Sequence, residues 1–192
     1  FSASNYLTGL YVLVSFILIV RFVVNLIRLT RKILINTKIR NGDTTIVLIP
    51  ESTLPYSFFG YIFLNRADYE AGLIETELIL HEEGHCKQYH SIDILIIELL
   101  NIVLWFNPAI WLFRKEILLN HEYSADSRVL NFTDSTDYQL ILLNVLLRNN
   151  SSFLVSNFKY SSIRNRLAMM TKNNTRNNAI LRKITGSIFF LM

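Results

Sequence analysis

The feature that most constrains this chain is its first apolar run. From Leu7 to Ile27 almost every residue is Leu, Ile, Val, Phe or Tyr, about the 20 residues that a helix needs to cross the hydrocarbon core of a bilayer. Arg21 is the single charge in the run, near enough to its C-terminal end for a long side chain to reach the interface. A signal peptide carries its basic residues before the apolar run and a small-residue cleavage site after it. Here the bases follow, which predicts a membrane helix over residues 5–29, in preference to a signal peptide or a buried core helix.

The charges support that reading once their positions are counted. The chain of 192 residues has a net charge of +4 and only 18% charged residues. Six of the bases fall in residues 21–40 and seven in residues 159–183, with no acid in either stretch. All fifteen acids lie between them. The basic pI near 9.2 therefore belongs to the flanks of apolar segments, where it marks topology by the positive-inside rule. A nucleic-acid arm would interleave aromatic stacking residues with the bases, and this chain does not, so nucleic acid is not an expected partner. Arg182 and Lys183 precede Ile184 to Met192, read as the start of a second span over 184–192. Both clusters place a domain at 30–175 in the cytoplasm. Because the chain opens on Phe1 and ends in an apolar run, it is expected to be a piece of something longer.

Within that domain, Lys32 to Arg40 and Asp43 to Ile49 are β-branched runs around Asn41-Gly42, a dipeptide suited to a tight hairpin. Tyr56 to Leu64 is a further aromatic-rich strand candidate, either a core strand or an edge that pairs with an extended peptide. From about Glu70 the pattern is helical. Lone Cys86 excludes a disulfide framework and reads as a small buried residue.

The chemistry is concentrated between Glu77 and Asp126. His81-Glu82-Glu83-Gly84-His85 is an HExxH motif on an expected helix. Positions i and i+4 share a face, so two imidazoles converge on one metal while Glu82 stands beside it to polarise a water. Zinc suits two imidazoles and a carboxylate with one position open. Bound water then ionises near neutral pH, and Glu82 takes its proton and delivers it to the leaving amine. His90, five residues beyond His85, falls about 140° round a continuous helix and off the metal face. A third ligand is therefore sought on a second helix. Asn107-Pro108 is a helix start, and that helix carries Glu122 and Asp126 one turn apart. Glu122 is the expected third ligand and Asp126 the carboxylate that orients a histidine. His121 is the second choice, as a substitute ligand or an oxyanion donor. Ile92 to Phe106 either dips into the membrane or packs the metal helices with Asp93, Glu98 and Asn101 toward the site; it is too short for a comfortable span, so packing is expected. Arg164, Arg166 and Met169-Met170 read as a capping helix.

HEEGHCKQYHSIDIL, then WFNPAIWLFRKEILLNHEYSAD, then SSIRNRLAMM together resemble the BlaR/MecR-type integral-membrane zinc peptidases over roughly residues 45–175. The weight rests on HExxH, NPxxW and ExxAD in this order and spacing. The resemblance implies a mainly α membrane protein whose gluzincin-like peptidase domain, with a small β-hairpin or sheet, is flanked by transmembrane helices. It assigns His81, His85 and Glu122 to zinc, Glu82 to catalysis and Asp126 to the ExxAD aspartate. It further implies a multi-pass protein of the bacterial cytoplasmic membrane that cleaves a cytoplasmic protein, a repressor or itself, in signal transduction. A homodimer stays open. The chain holds no extracytoplasmic penicillin-binding module, so β-lactam sensing is not carried over. The competing class is a non-catalytic membrane scaffold with a structural metal.

Overall fold

The computed structural model describes residues 3–148 and 156–171; the expected second span at 184–192 and the end of the domain at 175 lie outside them. Helix α1 (Ala3–Ile35) is followed by strands β1 (Thr37–Asn41), β2 (Thr44–Ile49), β3 (Tyr56–Phe58) and β4 (Tyr61–Asn65). Helices α2 (Arg66–Glu70), α3 (Thr76–Lys87), α4 (His90–Val103), α5 (Pro108–Val129), α6 (Ser135–Arg148) and α7 (Ser156–Thr171) complete the described chain.

At 33 residues α1 is about 50 Å long. It is long and apolar enough to cross a membrane, and none of its most apolar window is buried inside the protein, unlike the core helix of a soluble domain. It also runs four residues into the expected first strand. Leu29 and Ile33 explain this, since both pack against the buried Val47, Ile49 and Phe63 of the sheet, and tertiary burial overrides the β preference of that stretch.

The sheet has the order β1-β2-β4-β3, with β2 and β4 parallel and the outer pairs antiparallel. Helix α1 covers one face. On the other, Ile46, Leu48, Ile62 and Leu64 pack with Cys86 and with Ile79 of α3. Burial on both faces is why β2 and β4 read as unbroken apolar runs rather than as alternating ones. Two local expectations shift. The hairpin loop is Gly42-Asp43, because Asn41 still pairs with Thr44 and only Gly42 takes a positive φ of 55°. The run Tyr56 to Leu64 is a hairpin and not a single strand, since it turns at Phe59-Gly60 with Phe59 at φ 51°. Its second half is therefore an interior strand and its first half an edge.

A third apolar cluster of Leu78, Val129, Tyr138, Leu142 and Met170 ties α3, α5, α6 and α7 together. Helix α5 begins as its sequence requires, with the Asn107 side chain accepting from Ala109 N at 2.9 Å and Pro108 in the first turn.

Candidate metal centre

Helix α3 presents His81 and His85 one turn apart, with their Nε2 atoms 3.1 Å from each other. Glu122 arrives from α5, its two carboxylate oxygens each 3.5 Å from one of those nitrogens. One donor atom from each of the three lies within 4.8 Å of the others. Tetrahedral ligands about 2.0–2.1 Å from a zinc ion stand roughly 3.4 Å apart, so the spacing and the N, N, O donor set both fit zinc.

Glu122 comes this close because α3 and α5 nearly touch. A methyl group on Gly84 would stand 3.2 Å from the Ala125 Cα and 3.4 Å from its Cβ. Glycine inside HExxH and alanine inside ExxAD therefore form one steric pair. Gly84→Leu is expected to force the helices apart and to cost zinc binding even though every ligand remains. Overpacking of this kind costs about 1–3 kcal/mol. Retention of full zinc affinity by a folded Gly84→Leu protein would disprove the role.

Behind His81 lies a buried polar network. Its Nδ1 is 3.1 Å from Asp126 Oδ1 and 3.0 Å from the Tyr138 hydroxyl, which donates to Asp126 at 2.8 Å. With Nδ1 tied up, Nε2 faces Glu122 and His85. Arg166, from α7, donates to both Asp126 oxygens and sits 2.8 Å from Glu122. Burial pushes the Asp126 and Glu122 carboxyls up, but His81 and Arg166 outweigh it and hold each at about 2. Burial likewise opposes a charge on His81, yet its bonds to Asp126 and Glu122 prevail and raise it to about 9. Burial and then the neighbouring His81 lower His85 to about 3. One imidazolium and one guanidinium thus stand against two carboxylates. Arg166, read from sequence as part of a cap, belongs to this centre.

His90 is closer than a continuous helix would allow. Tyr89 adopts a left-handed conformation, φ 56°, so α3 stops and α4 starts in a new direction. That brings His90 Nδ1 to 2.7 Å from His85 Nδ1. The ring of His90 stacks on His121 at 3.9 Å, and His121 Nε2 meets Asp93 at 3.0 Å. His121 therefore stands outside the three-residue cluster, behind His90. Of the polar stripe of α4, Glu98 pairs with Arg114 of α5 at 2.7 Å and Asn101 lines the space toward α1; only its first member, Asp93, comes near the centre.

A cavity of about 320 Å³ opens beside the cluster, lined by His81, Glu82, His85, Glu122 and Arg166 and by Tyr56 and Ser57 of β3. Glu82 is buried, and its carboxyl is raised above the usual range by desolvation, against the lowering effects of His81 and a hydrogen bond with Ser57.

With this geometry in place, the comparisons with known proteins are specific. A family model described as the BlaR1 peptidase M56 matches residues 65–170, from the start of α2 to the end of α7. The chain belongs to the M56 peptidase family. It is 26% identical over 165 residues to the regulatory protein BlaR1 of Staphylococcus aureus, covering 80% of this chain and 27% of that protein. It is 33% identical over 89 residues to the regulatory protein BlaR1 of Bacillus licheniformis, covering 44% of this chain and 15% of that one. The chain thus spans about a quarter or less of the curated relatives it matches. The M56 match contains every residue of the metal centre and its network, and the sheet strands β1 to β3 precede it.

Proposed function

We propose that this chain carries the catalytic part of a membrane-bound zinc endopeptidase of gluzincin type. It cleaves a cytoplasmic protein, a repressor or the peptidase itself, during signal transduction. The observation that carries the reading is the convergence of His81, His85 and Glu122 next to Glu82 in one open cavity. Zinc held by those three residues would supply a Lewis acid and lower the pKa of a water molecule. Glu82 is placed to accept a proton from a water molecule in the cavity and to pass it to the leaving amine; burial that raises its carboxyl suits a group that must both take and give a proton near neutral pH. Asp126 and Tyr138 hold His81 in orientation, and His90 does the same for His85. Arg166 supplies positive charge at the cavity wall. Strand β3 is a sheet edge beside the cavity, which favours a substrate backbone bound by edge pairing. The open cavity, and the absence among the described residues of a fourth protein donor in the cluster, favour a catalytic over a structural site.

The name "regulatory protein" carried by both relatives supports a signalling role. The apolar α1 followed by basic residues supports a cytoplasmic-membrane location with the peptidase domain on the cytoplasmic side. The test is Glu82→Gln in the full chain with its membrane helix. Zinc content is expected to be unchanged and proteolysis to fall by the 10²–10⁴-fold typical of a lost general base. Undiminished proteolysis with zinc bound would refute the role of Glu82.

A further inference from the structure

The geometry points to a second membrane contact: the helical hairpin of α4 and α5 dips into the same bilayer as α1 and presents its outer face to lipid acyl chains. The inference rests on α1 crossing the membrane. Two hydrogen bonds fix the depth. The Tyr11 hydroxyl donates to Val103 O at 3.1 Å, and Ser15 Oγ to Ile102 O at 3.3 Å. Tyr11 also stacks on Trp105 with ring centroids 6.5 Å apart. Tyr11 lies in the first part of the apolar run Leu7 to Ile27, about 15 Å along the helix from Arg21, the first of the basic residues. A hairpin tip held beside Tyr11 is deep in the hydrocarbon layer.

The surface of the hairpin suits that place. Between Asp93 and Lys115 every exposed residue is apolar, with Ile96, Leu99, Val103, Phe106, Trp111 and Leu112 contributing the most exposed side chains. The two charged residues in that stretch are half-buried and neutralise each other, and Asn101 is buried. Glu98 pairs with Arg114, and both line an open cleft of about 460 Å³ between the hairpin and α1, together with Asn101, Asn25 and Arg21. The exposed charges resume only at Lys115 and Glu116, about 11 Å down α5 from Pro108.

The backbone supplies an independent argument. Carbonyls at the end of a helix lack partners in the helix and, in water, need none. In hydrocarbon each must be bonded within the protein. At this tip Leu104 N bonds Leu100 O and Asn107 N bonds Leu104 O, each at 2.8 Å. Ser15 serves Ile102 O, Tyr11 serves Val103 O, and Trp111 Nε1 donates to Trp105 O at 3.2 Å. Side chains from α1 and α5 thus take up the carbonyls of residues 102, 103 and 105 at the end of α4. The hairpin carries His90, His121 and Glu122 toward its base, so its insertion holds part of the metal centre at the membrane surface.

The chain has two tryptophans, and both are at this tip. The full chain, reconstituted in phosphatidylcholine vesicles with bromine at mid-chain acyl positions, is expected to lose most of its tryptophan emission and to resist aqueous iodide. Leu13→Trp, with Trp105 and Trp111 changed to Phe, reports on α1 alone and is expected to be quenched by the same lipid. Quenching of the native tryptophans by iodide and not by bromolipid, with Leu13→Trp still quenched by bromolipid, would overturn the hairpin insertion and leave α1 spanning. Absence of bromolipid quenching at Leu13→Trp as well would overturn both. Zinc content and Glu82-dependent proteolysis are read on the same preparation, and their loss would count against the peptidase reading and not against insertion.

Discussion

Glu122→Ala is expected to release zinc from the centre, lowering affinity by more than the 10–100-fold that loss of an outer partner costs. His121→Ala, its neighbour in sequence, is expected to leave affinity within about tenfold of the parent. The two residues differ by about 100° around α5, and the fold uses that difference fully. Glu122 faces two imidazole nitrogens at 3.5 Å, while His121 faces α4, stacked on His90 and bonded to Asp93. Competition against a zinc chelator measures both variants. Glu122→Gln, which keeps the shape of the side chain beside Arg166, separates loss of the carboxylate from loss of packing. Should His121→Ala lose zinc while Glu122→Ala keeps it, the ligand set given above is wrong.

That contrast also shows which part of the centre a linear reading reaches. HExxH and the Glu122–Asp126 turn are local patterns, and helical periodicity alone puts their members on common faces. Asn107-Pro108 likewise states where α5 begins. What stays hidden is contributed across long sequence distances or by a single backbone angle. Arg166 stands 40 residues from Asp126 in a stretch whose pattern says only helix, and Tyr138 reads as an ordinary apolar position of α6 until its hydroxyl is found on Asp126. His90 stays outside the three-residue cluster as expected, but its contact with His85 is hidden because the 140° argument assumes an unbroken helix, and Tyr89, a non-glycine residue at positive φ, breaks it. The extension of α1 through Lys32 to Ile35 was masked in the same way, since burial of Leu29 and Ile33 against the sheet decides it rather than propensity. Gly84 did carry a legible signal: a glycine inside a helix costs about 1 kcal/mol relative to alanine, so its presence between the two ligands marks a close approach of another backbone.

Zinc affinity is expected to rise steeply with pH, close to tenfold per unit between pH 7 and 9, and to level off above. In the metal-free protein His81 keeps its proton up to about 9 because Asp126 and Glu122 flank it, and a protonated imidazole cannot ligate, so each ion bound near neutral pH must displace one proton. His85, lowered to about 3, is already neutral and adds nothing to the slope. The same proton stabilises the metal-free fold. A folded-state value raised above the ordinary 6.5 contributes fully below pH 6.5 and is lost as pH rises through 9. Apo stability should therefore fall with rising pH across the window in which metal affinity climbs, so that zinc replaces the imidazolium as the positive charge between two carboxylates. Calorimetric titration of zinc in buffers of different ionisation enthalpy counts the released proton directly. Asp126→Asn keeps the shape of the network and removes the strongest attraction for that proton, so it should flatten the dependence and release less than one proton per zinc at pH 7. A full proton still released by Asp126→Asn, or a flat affinity profile in the parent protein, would show that His81 does not hold the charge.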